Sequence, residues 1–177
     1  MTLDWRWLPL AATNFILLFL TAMVNDGLAP WNLSLFLAGP CVVWAALRLE
    51  TGPLVLCVLL SGLAGDALLP SPNGFLMTLF ALSAGVIAMV RPTLGRAGRS
   101  HQLVLAWALN AVYYLAFTLW AATQGTPFST AFIERLAVDF GLSQLLLLPV
   151  GLWFFDFQES VLRLAHLPVA QEPAGRP

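Results

Sequence analysis

The sequence predicts an all-α membrane protein of six transmembrane helices, and three observations carry that reading. The first is composition. Of 177 residues, 59% are hydrophobic and 10% charged, and the mean hydropathy is +0.83. Soluble domains carry about 25% charged residues. A fold of this length cannot enclose so much apolar surface in one core, so part of it must face lipid. The second observation is that apolar runs of span length, about 17–25 residues, recur along the chain. The third is that short links of turn formers and polar residues separate them: "NDGLAP", "RLETG", "PSPNG" and "RPTLGRAGRSHQ". Short links force neighbouring spans to run antiparallel. The length suits one bundle rather than two domains.

The spans follow in order: 8–24, 31–47, 53–69, 74–90, 103–122 and 136–157. Together they predict a single six-helix bundle over 1–167. The tail, 168–177, is polar and rich in Pro and Ala, and is expected to be disordered in the cytoplasm. Asp4 and Arg6 precede the first run, and no small-residue cleavage site follows it, so the first span is expected to be retained. Between spans five and six lies "TQGTPFSTAFIERLAVDFG". Phe132, Ile133, Leu136 and Phe140 recur there at helical spacing among Glu134, Arg135 and Asp139. Residues 129–142 are therefore either a separate interfacial amphipathic helix or the polar start of span six.

All eight basic residues are Arg. With the N-terminus and C-terminus inside, Arg6, Arg48, Arg91, Arg96, Arg99, Arg163 and Arg176 fall on the cytoplasmic side, and Arg135 falls outside. Such an excess of inner basic residues sets orientation. The net charge of −1 gives no sign of nucleic-acid binding. The Trp and Tyr residues lie mostly near the ends of apolar runs, either as interfacial anchors or as core filling. Cys41 and Cys57 lie inside runs and read as small buried hydrophobes, because a disulfide framework or zinc site needs more Cys or His.

Intramembrane charge is costly and often functional, but here none falls clearly at mid-bilayer. Asp66, Asp139 and Asp156 lie near span ends, and Glu134 and Arg135 just before span six. "LAGDA" has Leu63 where the GxGD motif of intramembrane aspartyl proteases needs Gly, and no second aspartate sits in a matching place. His101 and His166 lie at span ends with no HExxH cluster. A coupled transporter calls for acids or a broken helix at the midplane, and no charged residue lies there. No metal, cofactor or catalytic residue is therefore expected. Asn14, Ser61, Thr78, Ser83, Asn110, Ser143 and Gln144 are expected to hydrogen-bond between helices. The small pairs Ser61/Gly65, Ala81/Gly85 and Ala84/Ala88 predict close helix approach, within the chain or against another membrane protein.

One stretch stands out: "SGLAGDALLPSPNGF", 61–75. Asp66 shares a helix face with Gly62 and with Pro70. Its carboxylate can reach the free N–H groups of Asn73, Gly74 and Phe75, which open span four. The expected role is a cap that locks the turn between spans three and four. On that reading Asp66→Asn is mild and Asp66→Leu costs folding.

The segment "RLETGPLVLCVLLSGLAGDALLPSPNGFLMTLFALSAGVIAMVRPTLGR" resembles the centre of the rod shape-determining protein MreD family. That family has a polar link, a "G…GLxxD" span end, a Pro/Gly loop, a Gly opening the next span and a basic loop. Here these are Gly52, Gly62, Asp66, Pro72, Gly74 and the arginines of 91–99. The likeness runs over about residues 30 to 120. It departs at Trp31, where the family often has an acid after the proline. The resemblance implies a non-enzymatic, multi-pass scaffold of the bacterial inner membrane. Its partners would be an MreC-like membrane protein, the MreB filament, RodA and a class B penicillin-binding protein, together with membrane lipid. The structural or partner candidates are then Asp66, Gly62, Gly65, Pro72, Gly74 and Gly85. It further implies a fold similar to the substrate-binding subunits of energy-coupling-factor vitamin transporters, which supplies the alternative. "NAVYYLAFTLW" could line an outer pocket of such a subunit, but "AATNFILLFLTAM" has no clean Ala-xxx-Ala docking motif.

Overall fold

A computed structural model describes residues 4–69, 71–94, 98–124 and 129–167. Its helices are α1 Trp7–Leu28, α2 Pro40–Arg48, α3 Thr51–Leu68, α4 Phe75–Leu94, α5 Arg99–Thr123 and α6 Thr130–Leu164, with a 3-10 turn, Ala29–Trp31, after α1. No strand occurs among the described residues. Five of the helices, all but α2, are long and apolar enough to cross a membrane. Such helices suit lipid because each satisfies its own backbone hydrogen bonds. Their outer faces carry exposed Phe15, Phe19, Leu63, Leu82, Met89, Leu119 and Leu145. The chain is an all-α, multi-pass membrane protein.

The long helices surround the segment that contains α2. α1 and α3 run parallel, since Asn14 bonds Ser61 and Leu18 lies against Gly65. α4 returns antiparallel to α3, with Met77 against Gly62 and Leu76 against Gly65. α5 and α6 are antiparallel, with Tyr114 beside Phe140 and Leu103 beside Gly151. Gln158 ties α6 back to α1 through Asn14. α4 and α5 touch each other sparsely, and α2 packs against both.

The predicted second span, 31–47, is corrected: after the 3-10 turn that ends at Trp31, the chain becomes α-helical only at Pro40–Arg48. Two positions explain the break. Asn32 adopts a left-handed conformation, φ 55°, that closes the turn after α1. Pro40 has no N–H, so a continuous helix would leave the carbonyl of Phe36, four residues back, without its donor. The chain instead runs non-helically to Gly39 and begins a helix with Pro40 in its first turn, where a missing N–H costs nothing. Every residue from Leu35 to Leu47 is buried, so this is the innermost element of the molecule. Because α1 and α3 are parallel, it must travel back along the bundle between them.

At the other end, α6 is one unbroken helix from Thr130, opened by Ser129, whose hydroxyl accepts from the Phe132 N–H. Residues 130–142 are thus its first turns rather than a separate interfacial helix. Phe132, Leu136 and Phe140 turn inward and Ile133, Glu134 and Arg135 outward. The expected tail, 168–177, lies outside the described residues.

Candidate functional site

A non-helical segment inside an apolar bundle exposes peptide groups to hydrocarbon, where an unpaired one costs several kcal/mol, of order 2–7. Side chains of three surrounding helices supply the missing partners. Asn25 of α1 bonds both ends of one residue: it accepts from the Leu35 N–H at 2.6 Å and donates to the Leu35 carbonyl at 2.9 Å. Asp139 of α6 accepts from the Ser34 N–H at 3.1 Å and the Ser34 hydroxyl at 2.8 Å. Ser143, one turn on, accepts from the Phe36 N–H at 3.0 Å. Asn110 of α5 donates to the Phe36 carbonyl at 2.8 Å and accepts from the Gly39 N–H at 3.1 Å. It thereby replaces the bond that Pro40 cannot make. Gly39 is required here, since a Cβ would lie 2.3 Å from the Ala106 carbonyl oxygen and 2.8 Å from Asn110.

Deeper along the segment, Asn14 joins four elements. Its amide donates to the Cys41 carbonyl and to the Ser61 hydroxyl, each at 2.8 Å, and its oxygen accepts from Gln158 at 3.1 Å. The far end is closed by Arg91 of α4, which donates to the Leu49 carbonyl at 2.8 Å. Of the polar residues expected to bond helix to helix, Asn14 and Ser61 do so across α1 and α3, while Asn14, Asn110 and Ser143 also bond the backbone of this segment. Ser83 reaches the Tyr113 hydroxyl across the α4–α5 seam. Thr78 bonds within its own helix, to the Gly74 carbonyl. Gln144 departs from the expectation: it is buried, and neither end of its amide has a partner among the described residues.

The α3–α4 turn is organised by Asp66, which is 8% exposed. One carboxylate oxygen accepts from the Ser71 hydroxyl at 3.1 Å and the Leu76 N–H at 2.7 Å. The other accepts from the Gly74 N–H at 2.9 Å and the Met77 N–H at 3.3 Å. An acid here also complements the positive end of α4. Of the expected partners, Gly74 is met. Phe75 bonds the Pro72 carbonyl instead, and the carboxylate reaches one turn deeper, to Leu76 and Met77. Pro70 lies outside the described residues. Gly74 has φ +83°, a conformation that suits glycine.

The remaining candidates divide. Gly62 permits backbone contact, because a Cβ there would lie 2.4 Å from the Met77 Cα. Gly65 faces the flexible tip of Leu76 at 2.9 Å. Gly85 is exposed, and a Cβ there would meet nothing within 4 Å, so the Ala81/Gly85 pair does not pack inside the chain. Among the described residues no group of His, Cys, Asp and Glu could hold a metal ion.

The same end of the molecule carries an aromatic chain of which the sequence pattern shows only the α5 part. Phe75 of α4 meets Phe117 and Trp120 of α5, Phe117 stacks near Phe36, Phe36 meets Tyr114, and Tyr114 meets Phe140 of α6. Beside it is an open groove of about 350 Å³ lined by Pro72, Asn73, Gly74, Phe75, Thr78 and Leu79. Comparison of the chain with protein-family models, curated proteins and solved structures finds no match.

Proposed function

We propose that this chain is a non-enzymatic membrane scaffold of the MreD type. It would sit in the bacterial inner membrane with six crossings and both termini inside, and hold an MreC-like partner so that cytoplasmic filaments are coupled to wall synthesis. The observation that carries the reading is the employment of its buried polar groups. Asn14, Asn25, Asn110, Asp139 and Ser143 bond the inner segment, and Asp66 bonds the α3–α4 turn. Groups so engaged serve rigidity rather than proton transfer or ion passage. Six crossings are supported by length. Eight residues, 32–39, stretch at most about 28 Å, and the nine-residue α2 adds about 14 Å. That is enough to cross a core of about 30 Å. The test is co-purification with the MreC-like protein of the same cell and depletion in a rod-shaped host. Rounding of the cells supports the reading. No capture together with unchanged shape overturns it.

The alternative, a small-molecule-binding subunit of an energy-coupling-factor-type transporter, is favoured by one feature, the aromatic chain beside the outer groove. It predicts a ligand that survives purification and quenches the fluorescence of Trp120.

A further inference from the structure

At Leu37 the side chains around the inner segment supply no partner. The residue is 6% exposed, and neither its N–H nor its carbonyl is hydrogen-bonded among the described residues. In hydrocarbon such groups are costly to leave unpaired. The direction in which they point follows from the chain around them. Residues 33–38 run without turn or bend. In extended chain the N–H and carbonyl of one residue point to the same side, and successive residues alternate. The bonds of the preceding residues obey that rule. Leu35 turns both groups to Asn25 of α1. Phe36 turns both away, to Ser143 of α6 and Asn110 of α5. Leu37 therefore presents its pair to α1, as Leu35 does.

Its level on α1 is set by two fixed points. Asn25 bonds Leu35, and Asn14 bonds the Cys41 carbonyl. From Leu35 to Cys41 the chain takes extended steps to Gly39 and then helical ones, and covers about 16 Å. Between its two asparagines α1 also covers about 16 Å. The two stretches thus run side by side in opposite directions and keep register. Leu37 lies two extended steps, about 7 Å, beyond Leu35. That is level with the residue one helical turn before Asn25, which is Thr21. Thr21 is 3% exposed, and its hydroxyl donates to the Leu17 carbonyl at 2.8 Å. Its oxygen keeps the capacity to accept. The three groups select their occupant by chemistry. The N–H repels a cation, and the two oxygens repel an anion. What fits is a small neutral molecule that accepts one hydrogen bond and donates two. Water does so, and an internal water typically makes about three such bonds.

We propose that one water molecule is built into the break between α1 and the inner segment. It accepts from the Leu37 N–H and donates to the Leu37 carbonyl and to the Thr21 hydroxyl oxygen. It does for Leu37 what the amide of Asn25 does for Leu35. The site depends on the inner segment alone and is independent of the scaffold reading. The experiment is water-edited solid-state NMR on the full, ¹⁵N-labelled chain in bilayers, which measures how fast magnetisation passes from water to each backbone amide. Leu37 should receive it several-fold faster than Leu35 and Phe36, which are buried to the same degree but bonded to Asn25 and Ser143. Thr21→Val keeps the shape of the side chain and removes the third partner, so Leu37 should lose that advantage. Thr21→Ser keeps the oxygen and should retain it. Transfer to Leu37 no faster than to Leu35 in the unmodified chain would overturn the proposal, and so would an advantage that survives Thr21→Val. If Thr21→Val does not fold, the first comparison and Thr21→Ser still decide: a serine variant that folds and has lost the advantage places the water elsewhere.

Discussion

Replacing Asp66 by Asn separates the charge of this residue from its shape, and the geometry says what should happen. The carboxylate accepts four hydrogen bonds, two on each oxygen. An amide has one oxygen. Its best placement keeps that oxygen where the Gly74 and Met77 N–H groups point. The NH₂ then faces the Ser71 hydroxyl, which can turn to accept, and the Leu76 N–H, which cannot. One buried bond of 2.7 Å is lost. Hydrogen bonds to charged groups contribute about 1.5–3 kcal/mol. Asp66→Asn should therefore lower the folded-to-unfolded ratio about 10- to 150-fold, which is more than the mild effect expected from sequence. Asp66→Leu strands three backbone N–H groups at about 1–3 kcal/mol each and should fail to accumulate. Ser71→Ala, which removes one neutral donor, should cost about 1 kcal/mol. The assay is reversible unfolding in bicelles, read by near-ultraviolet ellipticity of the Trp residues. If Asp66→Asn matches wild type in stability, the carboxylate is not the organiser of this turn. If it is stable, inserted and yet inactive, the charge acts on a partner directly.

Three further outcomes follow from single positions. Gly62→Ala must push α3 and α4 apart at the Met77 backbone and should cost about 1–3 kcal/mol, whereas Gly85→Ala, in open space, should be neutral; equal midpoints for the two would refute the close approach. Asn110→Leu leaves the Phe36 carbonyl and the Gly39 N–H unpaired, a loss of about 2–6 kcal/mol, and hydrogen exchange should speed up at Gly39 first. Gln144→Leu removes a buried amide that has no partner among the described residues and should be neutral or stabilising by about 1–3 kcal/mol; a destabilised variant would mean that the amide is solvated or bound in the membrane.

The long spans are legible in the sequence because their signal is a sum over many residues. Length and apolar composition alone locate α1, α3, α4 and α5 within a few residues, and the D…PNG spacing locates the Asp66 turn. The second span is not legible because its signal is local. Its composition is as apolar as the others, and the break depends on Gly39–Pro40 together with polar groups far away in sequence. Proline alone is not diagnostic, since Pro149 and Pro92 lie inside α6 and α4 without ending them. What distinguishes Pro40 is that Asn110 stands opposite Phe36 and takes over the bond it forgoes. That partnership spans 74 residues, and no window along the chain contains both members. The reach of Asp66 to Leu76 and Met77 is hidden for a related reason: it depends on how closely Gly62 lets α4 approach.

A broken element at the centre of a membrane bundle usually invites a transport reading, because freed peptide groups can bind ions or substrate. Here the surrounding side chains claim many of those groups. The acceptors facing the segment's N–H groups belong to Asn25, Asp139, Ser143 and Asn110, and the donors facing its carbonyls belong to Asn25, Asn110, Asn14 and Arg91. Moving the segment would break these bonds together, in a medium where water cannot replace them. The break therefore stiffens the bundle by cross-linking α1, α4, α5 and α6 through one buried stretch of chain. A rigid body with varied outer faces is what a scaffold requires. A carrier would need some of those bonds to exchange partners, and Asn110→Leu asks that question directly: a scaffold should lose stability and partner binding together.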